Sequence, residues 1–221
     1  MLFASPANPT GAVIPADELS ALVRTAEELG IAVISDEIYH RLAYAAPDTT
    51  ALAYGSGVTV INSFSKYYCM TGWRIGWMVL PGDLVRRAEI LQQNLFISAP
   101  TLSQIAATVA LGERDYSEVQ KAGYAANRQL LSDGLHALGF DIGAPSDGAF
   151  YAYAGVSRFS NDSMQFCTRM LDEAGVAATP GEDFDRVNGK KFVRFSYAGK
   201  RETIELALER MKGFLGQYHA Q

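Results

Sequence analysis

The sequence predicts an α/β protein: a mostly parallel sheet in the first half, then helices, then a smaller α+β unit. Two observations carry this. Branched apolar runs, Ile31-Ala32-Val33-Ile34-Ser35 and Val58-Thr59-Val60-Ile61, have the character of strands buried on both faces, and a segment with helical spacing precedes the first of them. Each run also ends in polar residues, and in such sheets ligands collect at the carboxyl ends of the strands.

Taken in order, residues 1–5 read as a short buried strand ending in the loop Pro6-Ala7-Asn8-Pro9-Thr10-Gly11. Pro15 suits the first position of a helix, and Leu19, Leu22, Val23, Ala26 and Leu29 recur at helical spacing until Gly30 stops it. A strand over 31–35 runs into Asp36-Glu37-Ile38-Tyr39, and a strand over 58–63 runs into Phe64-Ser65-Lys66. A further strand is expected over 74–80, closed by Pro81-Gly82. Residues 83–138 read as helical, with a long segment over 116–138. Beyond it come expected strands at 140–144, 149–156 and 191–198, a capped helix at 162–174 and a final amphipathic helix at 201–218. The expected division is 1–115 as a large-domain portion, 116–138 as a connecting helix and 139–221 as a small domain.

Composition excludes several classes. The chain has 221 residues, 48% hydrophobic and 19% charged, with a net charge of −5, so neither nucleic acid nor an anionic membrane is an expected partner. No apolar run approaches the ~18 residues of a membrane span. Cys69 and Cys167 are far apart without metal-ligand spacing and read as free thiols of a reducing compartment. The first residues lack a basic n-region, and the expectation is a cytoplasmic protein without a metal site.

Chemistry concentrates in Ser63-Phe64-Ser65-Lys66-Tyr67-Tyr68-Cys69-Met70-Thr71-Gly72-Trp73-Arg74-Ile75-Gly76-Trp77. A strand that delivers a lysine and two serines into a glycine-punctuated loop, with an arginine eight residues on, supplies an amine and a set of anion ligands. That combination suits a lysine Schiff base to an aldehyde cofactor that also carries a phosphate. Taken singly, each residue has a plainer reading: Lys66 as a strand-end surface charge, Asp36 as a helix N-cap, Asn8 as a turn residue, Arg194 as an edge charge. Arg194 lies in Phe192-Val193-Arg194-Phe195-Ser196-Tyr197, where an inward-facing charge among apolar neighbours needs a partner. His40, His136 and His219 share no spacing with one another or with a nucleophile and read as surface or capping residues, while Trp73 and Trp77 read as strand packing.

Four blocks together, Ser5-Pro6-Ala7-Asn8-Pro9-Thr10-Gly11, Asp36-Glu37-Ile38-Tyr39, Ser63-Phe64-Ser65-Lys66 with Gly72-Trp73-Arg74-Ile75-Gly76, and Arg194-Phe195-Ser196-Tyr197-Ala198, resemble the class I/II aminotransferases. These are the aspartate-aminotransferase-like enzymes of fold type I, which depend on pyridoxal 5′-phosphate. The resemblance implies the pyridoxal-phosphate-dependent transferase large-domain sheet, and amino-group transfer between an L-amino acid and a 2-oxo acid. By that resemblance Lys66 carries the cofactor and moves the proton during catalysis. Asp36 faces the pyridine nitrogen, and Tyr39 and Asn8 bond the phenolic oxygen. Ser63, Ser65 and Arg74 hold the phosphate. Arg194, with Asn8, binds the substrate α-carboxylate.

The family's chains are longer, and their N-terminal portion, with a phosphate-binding turn and a ring that stacks on the cofactor, finds no match here. The expectation is therefore a chain lacking that portion. Alternatives of the same resemblance are a lyase or synthase of the same fold, such as a carbon–sulfur β-lyase, and an inactive remnant or interaction subunit. The family form is a homodimer, and Gln93-Asn94-Leu95-Phe96-Ile97-Ser98-Ala99-Pro100 resembles the segment that approaches the neighbour's site, or is an ordinary helix connection. No second arginine is clearly placed for a side-chain carboxylate, so an aromatic or other apolar amino acid is at least as good an expectation as aspartate.

Overall fold

The structure, a computed structural model, describes residues 1–143 and 146–218. The chain forms two compact units, Met1–Ala7 with Val13–Lys121 and Asn8–Ala12 with Ala122–Gln221.

The first unit is built on a four-stranded sheet, β1 (Leu2–Ala4), β2 (Val33–Asp36), β3 (Val58–Ser63) and β4 (Gly76–Val79), in that order. The first three strands are parallel and β4 is antiparallel to β3, with Ala4 opposite Asp36 and Ser63 opposite Gly76. Helix α1 (Ala16–Glu28) starts after Pro15, whose φ of −57° already suits a helix, and Asp17 and Glu18 in its first turn complement the helix dipole. Its buried face, Leu19, Val23 and Ala26, packs with Val33, Ala51, Val58 and Val60 into one cluster. That covers one face of the sheet. Along β2 the alternation leaves Ile34 and Asp36 half-buried on the opposite face, and Leu2, Ile61 and Met78 are exposed. Helix α2 (Gly82–Leu95) buries no residue, and α3 (Thr101–Ala110) buries Ser103 and Ala107. Leu95 and the following Ile97 are 75% and 77% exposed.

Helix α4 (Arg114–Ala137) begins in the first unit and ends in the second. The second unit has an antiparallel sheet ordered β5 (Tyr151–Gly155), β7 (Phe192–Ser196), β6 (Thr179–Pro180). Helix α5 (Ser163–Ala174) is capped by Asp162, whose Oδ1 accepts from Gln165 N at 2.9 Å, and α6 (Arg201–Gln217) follows β7. Phe140, Phe166, Phe195 and Phe214 meet edge-on in its core, at ring-centroid distances of 5.6–6.2 Å. Among the described residues, no helix is long and apolar enough to cross a membrane.

Several elements differ from the sequence expectation. The strand expected over 74–80 shortens to β4, because Arg74 is left-handed at φ 52° and closes a 3-10 turn over Thr71–Trp73. The strand expected from 149 begins at Tyr151, since Ala149 has φ 56° and breaks the extended run. Instead of a strand over 140–144 there is a single bridge, Asp141 to Gly155; Gly143 offers no side chain to pack, and 144 lies outside the described residues. Replacing Leu19, 1% exposed, by alanine should lower unfolding free energy by about 2–5 kcal/mol, read as a reduced urea midpoint at unchanged slope.

Candidate active site

The parallel register of β1 to β3 brings the carboxyl ends of Ala4, Asp36 and Ser63 to one edge of the first sheet. Asp36 Oδ1 accepts from Ile38 N at 3.1 Å, which fixes the carboxylate on the turn after β2. The turn is anchored by Glu37, a carboxylate only 3% exposed. Its Oε1 accepts from Ala51 N (2.8 Å), Thr50 Oγ1 (3.0 Å) and Ser35 Oγ (3.1 Å), and its backbone N–H donates to Ile61 O. His40 Nδ1 lies 3.1 Å from the other oxygen, so His40 is a partner of Glu37 rather than a surface residue. Sequence reasoning missed Glu37. The signal was present, because Val33, Ser35 and Glu37 share the parity of the buried face.

β3 and β4 close a loop that carries the lysine. Phe64 N donates to Ile75 O (3.2 Å), Ser65 N to Ser63 Oγ (3.0 Å), Met70 N to Phe64 O (3.1 Å) and Cys69 N to Lys66 O (3.1 Å). A Cβ on Gly76 would stand 2.7 Å from Asn62 O and 2.9 Å from Ser63 Cβ, so only glycine permits this approach of the two strands. Phe64 is buried against Met70 and Ala107 and meets Tyr68 and Trp77, the latter edge-on at 5.2 Å, while Trp73 is largely exposed. Within this frame Lys66 Nζ lies over the buried Tyr39 ring, 5.6 Å from its centroid. Arg74 donates through Nη1 to Thr71 O at 2.8 Å and is exposed. The first unit therefore carries Asp36, Tyr39, Ser63, Ser65, Lys66 and Arg74 at or just beyond the carboxyl end of its central strands, and directly brings together Lys66 with Tyr39 and Ser63 with Ser65.

Next to Lys66, the buried Tyr67 donates its hydroxyl to Glu118 Oε1 at 2.6 Å, and the Arg41 guanidinium lies over its ring at 5.2 Å. Burial, then the hydrogen bond and charge of Glu118, push the phenol above its usual range, with Arg41 opposing.

The second unit holds the other two predicted residues together. The loop Asn8–Ala12 packs in this unit, not with the strand that precedes it. Gly11 has φ 71°, its carbonyl accepts from Gly148 N at 2.8 Å, and a Cβ there would stand 2.8 Å from Gly148 O. Asn8 Oδ1 accepts from Arg194 Nη1 at 2.7 Å, and Arg194 Nη2 donates to Thr179 Oγ1 at 3.0 Å. The guanidinium carbon lies over the Tyr151 ring at 4.3 Å and the Phe184 ring at 4.8 Å. Arg194 Nε is buried without a hydrogen-bond partner among the described residues. Thr179, Tyr151 and Phe184 were not read from sequence. Only the Thr179 pairing with Arg194 across β6 and β7 reveals the first of them, and a two-residue strand leaves no periodic signal.

The buried Cys167 thiol is pushed up to about 12, chiefly by burial, which leaves it un-ionised and inert. Among the described residues no group of histidine, cysteine and acidic side chains could hold a metal ion; His219 lies outside them.

Residues 1–211 match the family Aminotransferase class I and II. The chain belongs to this family. It is 48% identical over 219 residues to the valine–pyruvate aminotransferase of Mycobacterium tuberculosis, covering 97% of this chain and 56% of that protein. It is 37% identical to the aspartate/prephenate aminotransferase of Thermus thermophilus, covering 96% and 55%. A crystal structure of an aminotransferase from Mycobacterium tuberculosis superposes with a TM-score of 0.94 at 48% identity, covering 97% of this chain and 57% of that one. The aromatic aminotransferase of Pyrococcus horikoshii gives 0.90 at 31% identity, covering 98% and 59%. The chain thus spans little more than half the length of the curated relatives it matches.

Because the folded state raises the Tyr67 pKa, its contribution to stability is complete below the ordinary value of 10 and is lost as pH rises through the folded value. Wild-type chain should therefore lose more unfolding free energy than Tyr67→Phe as the pH rises above about 10, measured by urea titration.

Proposed function

We propose that this chain carries the lysine-bearing part of a pyridoxal-phosphate-dependent aminotransferase that moves an amino group between an L-amino acid and a 2-oxo acid. The observation that carries the reading is the position of Lys66 Nζ over the Tyr39 ring, on the sheet edge that also bears Asp36 and Ser63. The donor set fits the cofactor: an amine for its aldehyde, a carboxylate for its pyridine nitrogen, a phenol for its ring oxygen, and Ser63, Ser65 and Arg74 for its phosphate. Arg194 adds a buried Nε–H without an acceptor among the described residues, as a guanidinium awaiting a carboxylate would have. Bound there, pyridoxal 5′-phosphate supplies an electron-accepting ring for the pair left when the substrate Cα proton departs.

In this reading Lys66 Nζ anchors the cofactor and afterwards carries the Cα proton. Asp36, held by Ile38 N, keeps the pyridine nitrogen protonated, and the Tyr39 hydroxyl donates to the ring oxygen. Arg194, held by Asn8, orients the substrate through its α-carboxylate. Likeness to the valine–pyruvate enzyme supports an apolar amino acid as substrate. The exposed apolar residues Leu91, Leu95, Phe96 and Ile97 support a homodimer, and two cysteines that form no disulfide suit the cytoplasm. Residues 1–115 then belong to the large domain, 116–138 to the connecting helix and 139–221 to the small domain.

Purified chain mixed with pyridoxal 5′-phosphate should develop a visible absorbance band that added amino acid shifts, and Lys66→Ala should abolish it. A band that persists in the variant, or none in the wild type, overturns the assignment.

A further inference from the structure

We infer that Thr179 is a positioning residue that sets the plane of the Arg194 guanidinium for carboxylate binding; this rests on the role proposed above for Arg194. Thr179 and Arg194 face one another across β6 and β7, which puts the two side chains on the same face of the second sheet. Thr179 is itself fixed twice, by that pairing and by Pro180, which restricts the residue before it to extended backbone. Its hydroxyl oxygen accepts from Nη2 at 3.0 Å while Asn8 Oδ1 accepts from Nη1 at 2.7 Å. Each terminal nitrogen thus has one acceptor of its own.

Two acceptors on different nitrogens define the guanidinium plane, and the Tyr151 and Phe184 rings at 4.3 and 4.8 Å limit its tilt. What remains is Nε, buried and without a partner among the described residues. A carboxylate presents two coplanar oxygens and matches a guanidinium edge only when that edge is held at a fixed angle. Without the Thr179 hydroxyl, the only hydrogen bond in the guanidinium plane that opposes rotation about the Cδ–Nε bond, among the described residues, is the one from the Asn8 side. The remaining donors then no longer meet both oxygens together.

The test uses the full chain with 15N-labelled arginine, reading the Arg194 Nε–Hε resonance, identified by its loss in Arg194→Lys, during titration with pyruvate as a minimal 2-oxo acid. Wild type should show a saturable shift of this resonance. Thr179→Val, which keeps the shape and removes the acceptor, should raise the pyruvate Kd roughly tenfold, whereas Thr179→Ser should stay within about twofold. A Thr179→Val chain that binds as tightly as wild type overturns the inference and leaves Arg194 in its role. Thr179→Ser as weak as Thr179→Val also overturns it, since the loss would then follow from packing. A wild-type resonance that pyruvate does not move overturns both readings.

Discussion

The close approach of β3 and β4 at Gly76 is the constraint on which the first unit's chemistry depends. A methyl group at that position would stand 2.7 Å from Asn62 O, so the Ser63 to Gly76 register requires a residue without a side chain. That register ties both ends of the loop running from Phe64 to Ile75, and Lys66 and Arg74 sit at defined points along it. Inside the loop, burial of Phe64 and Met70 and the hydrogen bond between them leave Lys66 on the opposing turn. Backbone pairing and apolar packing thus set where along the loop the lysine falls.

Glu37 performs the corresponding service one strand away. A buried carboxylate is costly unless its oxygens are satisfied, and three donors converge on one of them. Those bonds join the end of β2 to the segment around Thr50 and Ala51. They thereby hold the turn on which Asp36 and Tyr39 are displayed. The two anchors differ in kind, one steric and one electrostatic, yet each acts on the residues just beyond a strand end.

Much of this was legible in the sequence because it rests on local pattern. The branched run ending at Ser63 has the bounds of β3, and Asp162 and Gly175 bracket α5 as capping chemistry demands. The candidate residues Asp36, Ser63 and Lys66 announced themselves by following apolar strands. What escaped depends on tertiary context. Thr179 and Phe184 acquire meaning only from Arg194, a residue on another strand. The left-handed Arg74 and Ala149 carry no glycine or asparagine to mark them. The burial of Glu37 was hidden by a charge that normally signals solvent.

The segment Asn8–Ala12 gives the chain an unusual connectivity. The polypeptide passes between its two units three times, after Ala7, after Ala12 and after Lys121. Asn8 and Arg194, 186 residues apart along the chain, are thereby brought into one unit, and the hydrogen bond between them forms wholly within it.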